Sequence, residues 1–260
     1  MTATTQHALE TSPPLGKARS RSSCDQCATA SKGKVLSSSV ASSNAALMHG
    51  RKSAGVDETS DVPTWYRRLN DYFPACELKA KEHIAALLKE NDMYTLEGDD
   101  GVLTFAVRNG NGQGAVQQPY LFIDYLLVSA ERRGQGLGGK EIARWKEEQR
   151  MIILEVEPVE EGMEKDCDIV RRRRFYARQG FRFAPSIRYV RASEEGEDTQ
   201  LDILYWLPPS DSPKSDAEHL ADEDVAYAAM REVYETVHAY KQIEWYGKHA
   251  QPTDDVLSRV

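Results

Sequence analysis

The apolar residues of this chain lie in short runs of strand length, separated by polar and glycine-rich segments. The runs that predict strands are 93–97, 102–108, 120–128, 151–158, 182–192 and 199–207. Gly98 to Gly101 has turn composition, so we expect the first two runs to form a β-hairpin. The run Tyr120 to Val128 is apolar on both faces, which is typical of a central strand that is covered on both sides. The last two runs are expected to pair antiparallel across a polar turn.

Helical periodicity surrounds these runs. It predicts helices over 65–73, over 75–90, over an amphipathic segment just before 151, over 168–179 and over 217–246. Pro74 ends the first helix. Asp168 is expected to cap its helix, and Gly180 to end that helix in a left-handed turn.

The last predicted helix carries a single apolar stripe. The stripe consists of Ala226, Met230, Val233, Val237 and Tyr240. A stripe of this width has to be buried against something. Either the helix packs against its own domain, or it forms a homodimer through the stripe.

Composition divides the chain into segments. Residues 1–60 are rich in Ser, Ala and Thr, and the first aromatic residue is Trp65, so we expect this segment to be disordered. Its basic bias leaves an organellar targeting segment as the alternative. The folded domain is expected over 62–209, followed by a linker, the amphipathic helix at 216–248 and a tail at 249–260.

Charge and cysteine usage restrict the class of protein. The formal net charge of −8 argues against bulk nucleic-acid binding. No apolar run has the length of a membrane span, and the N-terminus lacks a secretory core, so we expect a cytoplasmic protein without a membrane partner. Cys24 and Cys27 form a CxxC, but no second pair follows at zinc-site spacing, so we expect reduced thiols and no metal.

A basic, glycine-rich loop follows the central strand. Glycines at the start of a helix leave backbone N–H groups uncovered, so Arg133 to Gly139 is expected to hold a phosphate. Gly134, Gly136 and Gly139 fit the GxGxxG of dinucleotide folds, but five residues separate Gly134 from the strand end and the repeated strand–helix alternation is missing. A P-loop would need a hydroxyl where Glu141 stands.

A third pattern fits the loop better. The run Arg133, Gly134, Gln135, Gly136, Leu137, Gly138 resembles the (Q/R)xxGx(G/A) pyrophosphate loop of the GNAT superfamily of acyl-CoA-dependent N-acetyltransferases. Downstream, FYARQGF at 175–181 resembles the FYxxxGF segment of the same family. The two motifs occur in the family's order, within a resemblance that covers roughly 62–207, and LEVEP with the arginine-rich helix further resembles a bacterial branch of unassigned substrate.

This resemblance implies an α+β fold, with a mixed, mostly antiparallel central sheet flanked by helices. It also implies acetyl-CoA as co-substrate and no metal. In the family, the pyrophosphate sits on the glycine loop and pantetheine lies in a gap beside a bulged strand. The positions that match the cofactor site are Leu126, Leu127, Val128, Arg133, Gly134, Gln135, Gly136, Leu137, Gly138 and Gly139. The Val128 amide is a candidate oxyanion donor.

The chemistry needs a proton donor for the departing thiolate and a base for the amine. Tyr176 matches the tyrosine that usually serves as the acid in this family. Asp124 and Glu155 are the candidate bases, because carboxylates inside apolar strands need a reason to be there. Glu157 shares a strand face with Glu155. Structural ion pairing with nearby arginines is the competing explanation for these carboxylates.

The arginine-rich helix departs from the family pattern. Arg171 to Arg174 are consecutive, so their side chains point in four directions and at most one or two can face the cofactor. The others are expected to be solvated or paired with the acidic loop Glu160 to Asp168.

The sequence therefore predicts an N-acetyltransferase that acts by direct attack in a ternary complex. The acceptor is expected to be a small-molecule or peptide primary amine, and the acidic middle of the chain suits a cationic one. The alternative is a non-catalytic acyl-CoA-binding or protein-interaction module.

Overall fold

The structure is a computed structural model. It describes residues 62–75, 77–99, 101–109, 116, 118–192, 198–210 and 215–260. The predicted disordered segment 1–60, with Cys24 and Cys27, lies outside the described residues, as does most of the turn between the last two predicted strands.

Up to residue 206 the helices and strands follow the predicted order along the chain, but the strand predicted at 182–192 is divided into two. The α-helices are α1 (Thr64–Asn70), α2 (Lys81–Glu90), α3 (Leu137–Lys146), α4 (Asp168–Arg178), α5 (Asp216–Val233), α6 (Gln242–Tyr246) and α7 (Thr253–Val256). A 3₁₀ turn spans Ala130–Arg132, and a π-helical turn spans Tyr234–His238. The strands are β1 (Tyr94–Gly98), β2 (Val102–Asn109), β3 (Tyr120–Val128), β4 (Met151–Val156), β5 (Arg182–Phe183), β6 (Ile187–Ala192), β7 (Asp198–Trp206) and β8 (Leu257–Arg259). No helix within these described ranges combines the length and apolarity needed to cross a bilayer.

The eight strands of the described residues belong to one sheet, in the order β1-β2-β3-β4-β7-β6-β8, with β5 also paired to β7. Only the β3–β4 pair is parallel among the strand pairs of the described residues. The predicted α+β class with a mostly antiparallel sheet is confirmed. The expected hairpin is β1–β2, and β6–β7 pair antiparallel as predicted.

Helices cover both faces of the sheet. On one face, which we call the α3/α4 face, Ile142 and Trp145 of α3 and Tyr176 of α4 pack on the sheet. On the opposite face, the α5 face, α1, α2 and α5 contribute the buried side chains Leu69, Ile84, Leu87, Met230 and Val233. The central strands β3 and β4 are therefore buried on both sides, as the apolar run at 120–128 predicted.

A β-bulge in β3 marks the middle of the sheet. Phe105 of β2 lies opposite Tyr125, while the next residue, Ala106, lies opposite Ile123, so Asp124 is the extra residue. One extra residue reverses the alternation of side chains. Before the bulge Phe122 faces the α5 core, and after it Tyr125 does.

The C-terminal helix is shorter than predicted, but its stripe is buried. α5 ends at Val233, the π-helical turn follows, and Lys241, with a φ of 45°, separates it from α6. Ala226, Met230, Val233 and Val237 are fully buried in the α5 core. The stripe thus packs against its own domain, and a dimer would have to use another face.

The predicted tail at 249–260 is wrong. Residues Thr253–Val256 form α7, and β8 pairs antiparallel with β6. Leu257 is 1% exposed and belongs to the α5 core. The sequence has only two consecutive apolar residues here, Val256 and Leu257, so local periodicity could not reveal a strand that depends on the β6 edge.

Two predicted helix boundaries also differ. The helix expected from residue 75 begins at Lys81, because Ala80 is its extended N-cap. The helix expected to be capped by Asp168 has Cys167 as its N-cap, and the Asp168 carboxylate pairs with Arg171 instead. Periodicity locates a helix better than it locates its first residue.

Candidate active site

The glycine loop ends in an open helix N-terminus. Gly134 and Gly136 both have a φ of 76°, a left-handed conformation that favours glycine. Gly136 is the N-cap of α3 and offers no side chain to cover the first N–H groups. A Cβ atom at either glycine would meet nothing within 4 Å, so the loop leaves open space in front of the helix. This geometry suits a phosphate held by backbone N–H groups.

The following glycines serve helix packing. A Cβ atom at Gly138 would lie 3.4 Å from the Phe175 ring and 3.5 Å from a Val128 methyl group. A Cβ atom at Gly139 would lie 3.3 Å from the Gln179 side chain. The missing side chains allow α3 to approach β3 and α4 closely.

Arg133 joins the loop to neighbouring elements. Its guanidinium carbon lies 4.5 Å from the centre of the Tyr72 ring, and its Nε donates to the Val128 carbonyl at 3.3 Å. An open cleft of about 390 Å³ lies beside it and includes Leu127 and Ser129 in its lining. The arginine is exposed, so its charge is available to an anion at the loop.

A gap opens between β3 and β4 beyond the bulge. The two strands pair from Tyr120 opposite Met151 to Ile123 opposite Leu154, and no pairing between them follows in the described residues. β3 nevertheless continues to pair with β2 as far as Val128. The β4-facing backbone edge of Leu126 to Val128 is therefore left for another extended segment, and this edge leads to the glycine loop. These residues fit a pantetheine arm and its pyrophosphate.

Tyr176 is held by the end of α4. Gly180 has a φ of 75°, the Phe181 N–H donates to the Tyr176 carbonyl at 3.1 Å, and the Gly180 N–H donates to Ala177. These two bonds form a Schellman motif, and the Tyr176 and Phe181 rings pack 5.5 Å apart. Burial raises the pKa of Tyr176 to about 12, and Arg172 opposes the shift. The phenol is therefore neutral near pH 7 and can donate a hydrogen bond.

Asp124 lies in a buried ion pair. Lys79 Nζ lies 2.6 Å from Asp124 Oδ1, and the two side chains are 8% and 2% exposed. Asp124 Oδ2 accepts a hydrogen bond of 2.6 Å from the Tyr94 hydroxyl. Burial lowers the pKa of Lys79, although Asp124 favours its charged form. Both carboxylate oxygens are therefore occupied by protein donors.

Glu155 is less completely paired. It lies on the α5 side of β4, where Arg191 approaches Oε1 at 3.5 Å and His238 Nε2 approaches it at 3.2 Å. Its Oε2 is buried and lacks a partner of good hydrogen-bond geometry among the described residues, although the nearby Tyr189 hydroxyl favours the charged carboxylate. Burial raises the pKa of Glu155, against the opposing effects of Arg191 and Lys79. A raised pKa suits a general base.

Glu157 does not share the environment of Glu155. It lies just beyond β4, where it pairs with Arg172 of α4. Glu157 also raises the pKa of Tyr176, after the effects of burial and Tyr72. Strand alternation predicted that Glu155 and Glu157 share one face. In the structure the two carboxylates have different partners and do not form a common site.

The four consecutive arginines point apart, as predicted. Arg171 pairs with Asp168, and Arg174 donates to the Lys165 carbonyl at 3.0 Å, so these two contact the acidic loop. Arg172 pairs with Glu157, and Arg173 lies 2.8 Å from Asp202 of β7.

Sequence reasoning missed Lys79, Arg191 and His238. Lys79 lies 45 positions before Asp124 and precedes α2, and His238 lies at the end of the π-helical turn. No local motif surrounds these residues. The signal that could have found them is indirect, since carboxylates predicted inside apolar strands require basic or donor partners.

Comparisons with known proteins found relatives among curated sequences and solved structures. The chain is 42% identical over 199 residues to the "Putative acetyltransferase YjbC" of Bacillus subtilis (strain 168). The aligned region covers 75% of this chain and 92% of that protein. A GNAT-family acetyltransferase structure from Bacteroides thetaiotaomicron has a TM-score of 0.47 at 19% identity and covers 70% of this chain and 90% of its own. The ribosomal-protein-S18-alanine N-acetyltransferase of Escherichia coli has a TM-score of 0.39 at 14% identity, and the match covers 62% of this chain and 97% of that chain. No protein-family model matches the sequence.

Proposed function

Because the chain belongs to the GNAT superfamily of acetyltransferases, we propose that it transfers an acetyl group from acetyl-CoA to a primary amine by direct attack in a ternary complex. The observation that carries the proposal is the continuity between the β3–β4 gap and the open N-terminus of α3. Pantetheine would extend the sheet at Leu126 to Val128, and the pyrophosphate would meet the N–H groups of Gly134 to Gly139 and the charge of Arg133.

In this proposal Glu155 is the general base. An amine with an ordinary pKa is protonated at neutral pH, so a proton must leave the nitrogen before it attacks the thioester carbonyl. Oε2 of Glu155 has no hydrogen bond of good geometry among the described residues and can accept that proton directly or through water, whereas both oxygens of Asp124 are already occupied. We therefore assign Asp124 a structural role at the bulge.

Tyr176 is the proposed donor to the departing sulfur. As the carbon–nitrogen bond forms, the carbon–sulfur bond breaks and negative charge develops on sulfur. A phenol with a pKa of about 12 is a weaker acid than a typical thiol, so its main contribution is a hydrogen bond that strengthens as the charge develops. The nitrogen loses two protons on the way from ammonium to amide: the thiolate takes up one, and the other leaves through Glu155 to solvent.

The acceptor is proposed to be cationic. Glu77 and Glu157 interact with each other, and burial, followed by Glu157, raises the pKa of Glu77, while Arg172 and Arg191 oppose the shift. This pair of carboxylates, partly neutralised by Arg172 and Arg191, supports an ammonium group rather than an anion as the acceptor. A small amine or a peptide lysine meets this requirement equally well.

The test combines cofactor binding with catalysis. Acetyl-CoA at about 100 times its Kd should stabilise the protein by about 2.7 kcal/mol, whereas NAD and ATP should not. With an acceptor identified by thiol release from a panel of amines, Glu155→Gln should lower kcat/KM by about 10²- to 10⁴-fold without weakening acetyl-CoA binding. Glu244→Gln, at an exposed carboxylate of α6, is the matched control. Unchanged turnover in Glu155→Gln would exclude Glu155 as the base.

A further inference from the structure

His238 is brought to the site by a π-helical turn. After α5, the Ala239 N–H donates to the Tyr234 carbonyl at 2.7 Å, five residues back, so the turn contains one residue more than an α-helical turn. Such turns are rare within helices and occur frequently at functional sites. Here the turn directs His238 against β4.

The imidazole is buried without being satisfied. The His238 side chain is 3% exposed, and its Nε2 lies 3.2 Å from Glu155 Oε1. Neither ring nitrogen has an aligned hydrogen bond within the described residues. The Phe122 ring packs edge-on against it at 5.8 Å. A buried polar ring without hydrogen bonds is costly, so its retention calls for a role beyond packing.

Charged and titratable groups face His238 from every element around it. They are Lys79 and His83 from the segment at α2, Asp124 from β3, Glu155 from β4, Tyr189 and Arg191 from β6, and Tyr234 from its own turn. Burial, followed by Lys79, Arg191 and His83, lowers the pKa of His238 well below its usual value. The ring is therefore neutral and carries one N–H.

A divalent cation is a weaker interpretation of the same cluster. Single ligand atoms of Asp124, Glu155 and His238 lie within 4.8 Å of one another. However, Lys79 Nζ already lies 2.6 Å from Asp124, and Arg191 lies 3.5 Å from Glu155. These two cations would repel a metal ion at the same place.

We propose that His238 is a positioning residue for acetyl transfer: its Nε2–H bonds Glu155 Oε1 and holds the carboxylate so that Oε2 is presented to the acceptor amine. This proposal rests on Glu155 being the base. The separation of 3.2 Å lies within the range of an N–H···O hydrogen bond, so only the alignment of the N–H has to change. The C-terminal extension of the fold would thus complete the catalytic site.

The proposal predicts a specific pH effect. A hydrogen bond donated to a carboxylate favours its charged form and lowers its pKa. His238→Leu removes the donor, so the pKa of the Glu155 carboxyl should rise by about one to two units, and the acidic limb of kcat/KM should move to higher pH by the same amount. His238→Gln can place an N–H near Nε2 and should restore both values. His249→Leu, at an exposed histidine, should change neither.

The experiment is a ¹³C NMR titration of the glutamate carboxyl groups, with Glu155 assigned by Glu155→Gln, alongside the pH profile of kcat/KM. An unchanged carboxyl pKa in His238→Leu, with Glu155→Gln still impaired, would overturn the role of His238 alone. A shifted carboxyl pKa with an unmoved profile would instead remove Glu155 as the base. Stoichiometric metal that is present in the wild type and lost in His238→Leu would overturn the proposal in favour of a metal site.

A second measurement covers the case in which His238→Leu does not fold. The ¹⁵N shifts of wild-type His238 report which ring nitrogen is protonated. The Nε2–H tautomer is expected, and the Nδ1–H tautomer would contradict the proposal.

Discussion

Replacing Asp124 with asparagine should destabilise the protein rather than abolish its chemistry. Asparagine keeps the shape of the side chain and an acceptor for Tyr94, but it leaves Lys79 charged and buried without a counter-ion. At the observed separation of 2.6 Å, the attraction that is lost amounts to about 6 kcal/mol at an effective dielectric constant of about 20.

Lys79 can limit this loss by releasing its proton. At pH 7, deprotonating a lysine of ordinary pKa costs roughly 4.6 kcal/mol, which is less than the attraction that is lost. We therefore expect Asp124→Asn to lower the free energy of unfolding by about 3–5 kcal/mol. Because the unfolded variant then binds one more proton than the folded variant, the deficit should shrink by about 1.4 kcal/mol per unit of rising pH, to about 0–2 kcal/mol at pH 9.

Urea denaturation at several pH values measures this deficit. Lys79→Met should also destabilise, because it leaves Asp124 unpaired, while the double variant Lys79→Met with Asp124→Asn should recover most of the loss. Turnover per folded molecule should stay within a few-fold of the wild type. Full stability combined with a loss of turnover of about 100-fold or more would refute the structural role and identify Asp124 as a base.

Three further substitutions test other parts of the account. Tyr176→Phe should lower kcat by about 10- to 100-fold with little change in acetyl-CoA Kd, and unchanged turnover would contradict its contact with sulfur. Gly136→Ala should weaken acetyl-CoA binding at least several-fold, because alanine is strained at a φ of 76° by about 1–2 kcal/mol. The control is Gly162→Ala, at a φ of 90° in another exposed turn, which carries similar strain and should leave acetyl-CoA binding unchanged. Leu257→Ala should cost about 2–5 kcal/mol of stability by urea denaturation, whereas a true tail residue would cost nothing measurable.

The central strand and the loop after it could be predicted because their signals are local. The run Tyr120–Val128 has the observed strand bounds, and the glycines occur where the backbone turns left-handed. The Schellman turn at Gly180 could be predicted for the same reason, since glycine tolerates a φ of 75° at no steric cost.

The partners of the carboxylates could not be predicted, because they depend on contacts between distant segments. Asp124 was recognisable as an unusual residue in an apolar strand, yet whether it acts as a base or an ion-pair partner depends on Lys79, which is 45 residues away. His238 belonged to a helix whose periodicity suggested only a packed stripe, and the π-helical turn that aims it at β4 has no signature in that pattern. β8 likewise depends on the edge of β6.

Hydrogen–deuterium exchange with and without acetyl-CoA tests the central claim most directly, because it reports where the cofactor lies independently of the acceptor. We predict that acetyl-CoA slows amide exchange in two segments, 126–128 at the β3–β4 gap and 134–139 at the N-terminus of α3. Exchange in α7 and β8 should not change. Binding of acetyl-CoA without protection of both segments would contradict the assignment of the gap and the glycine loop as the cofactor site.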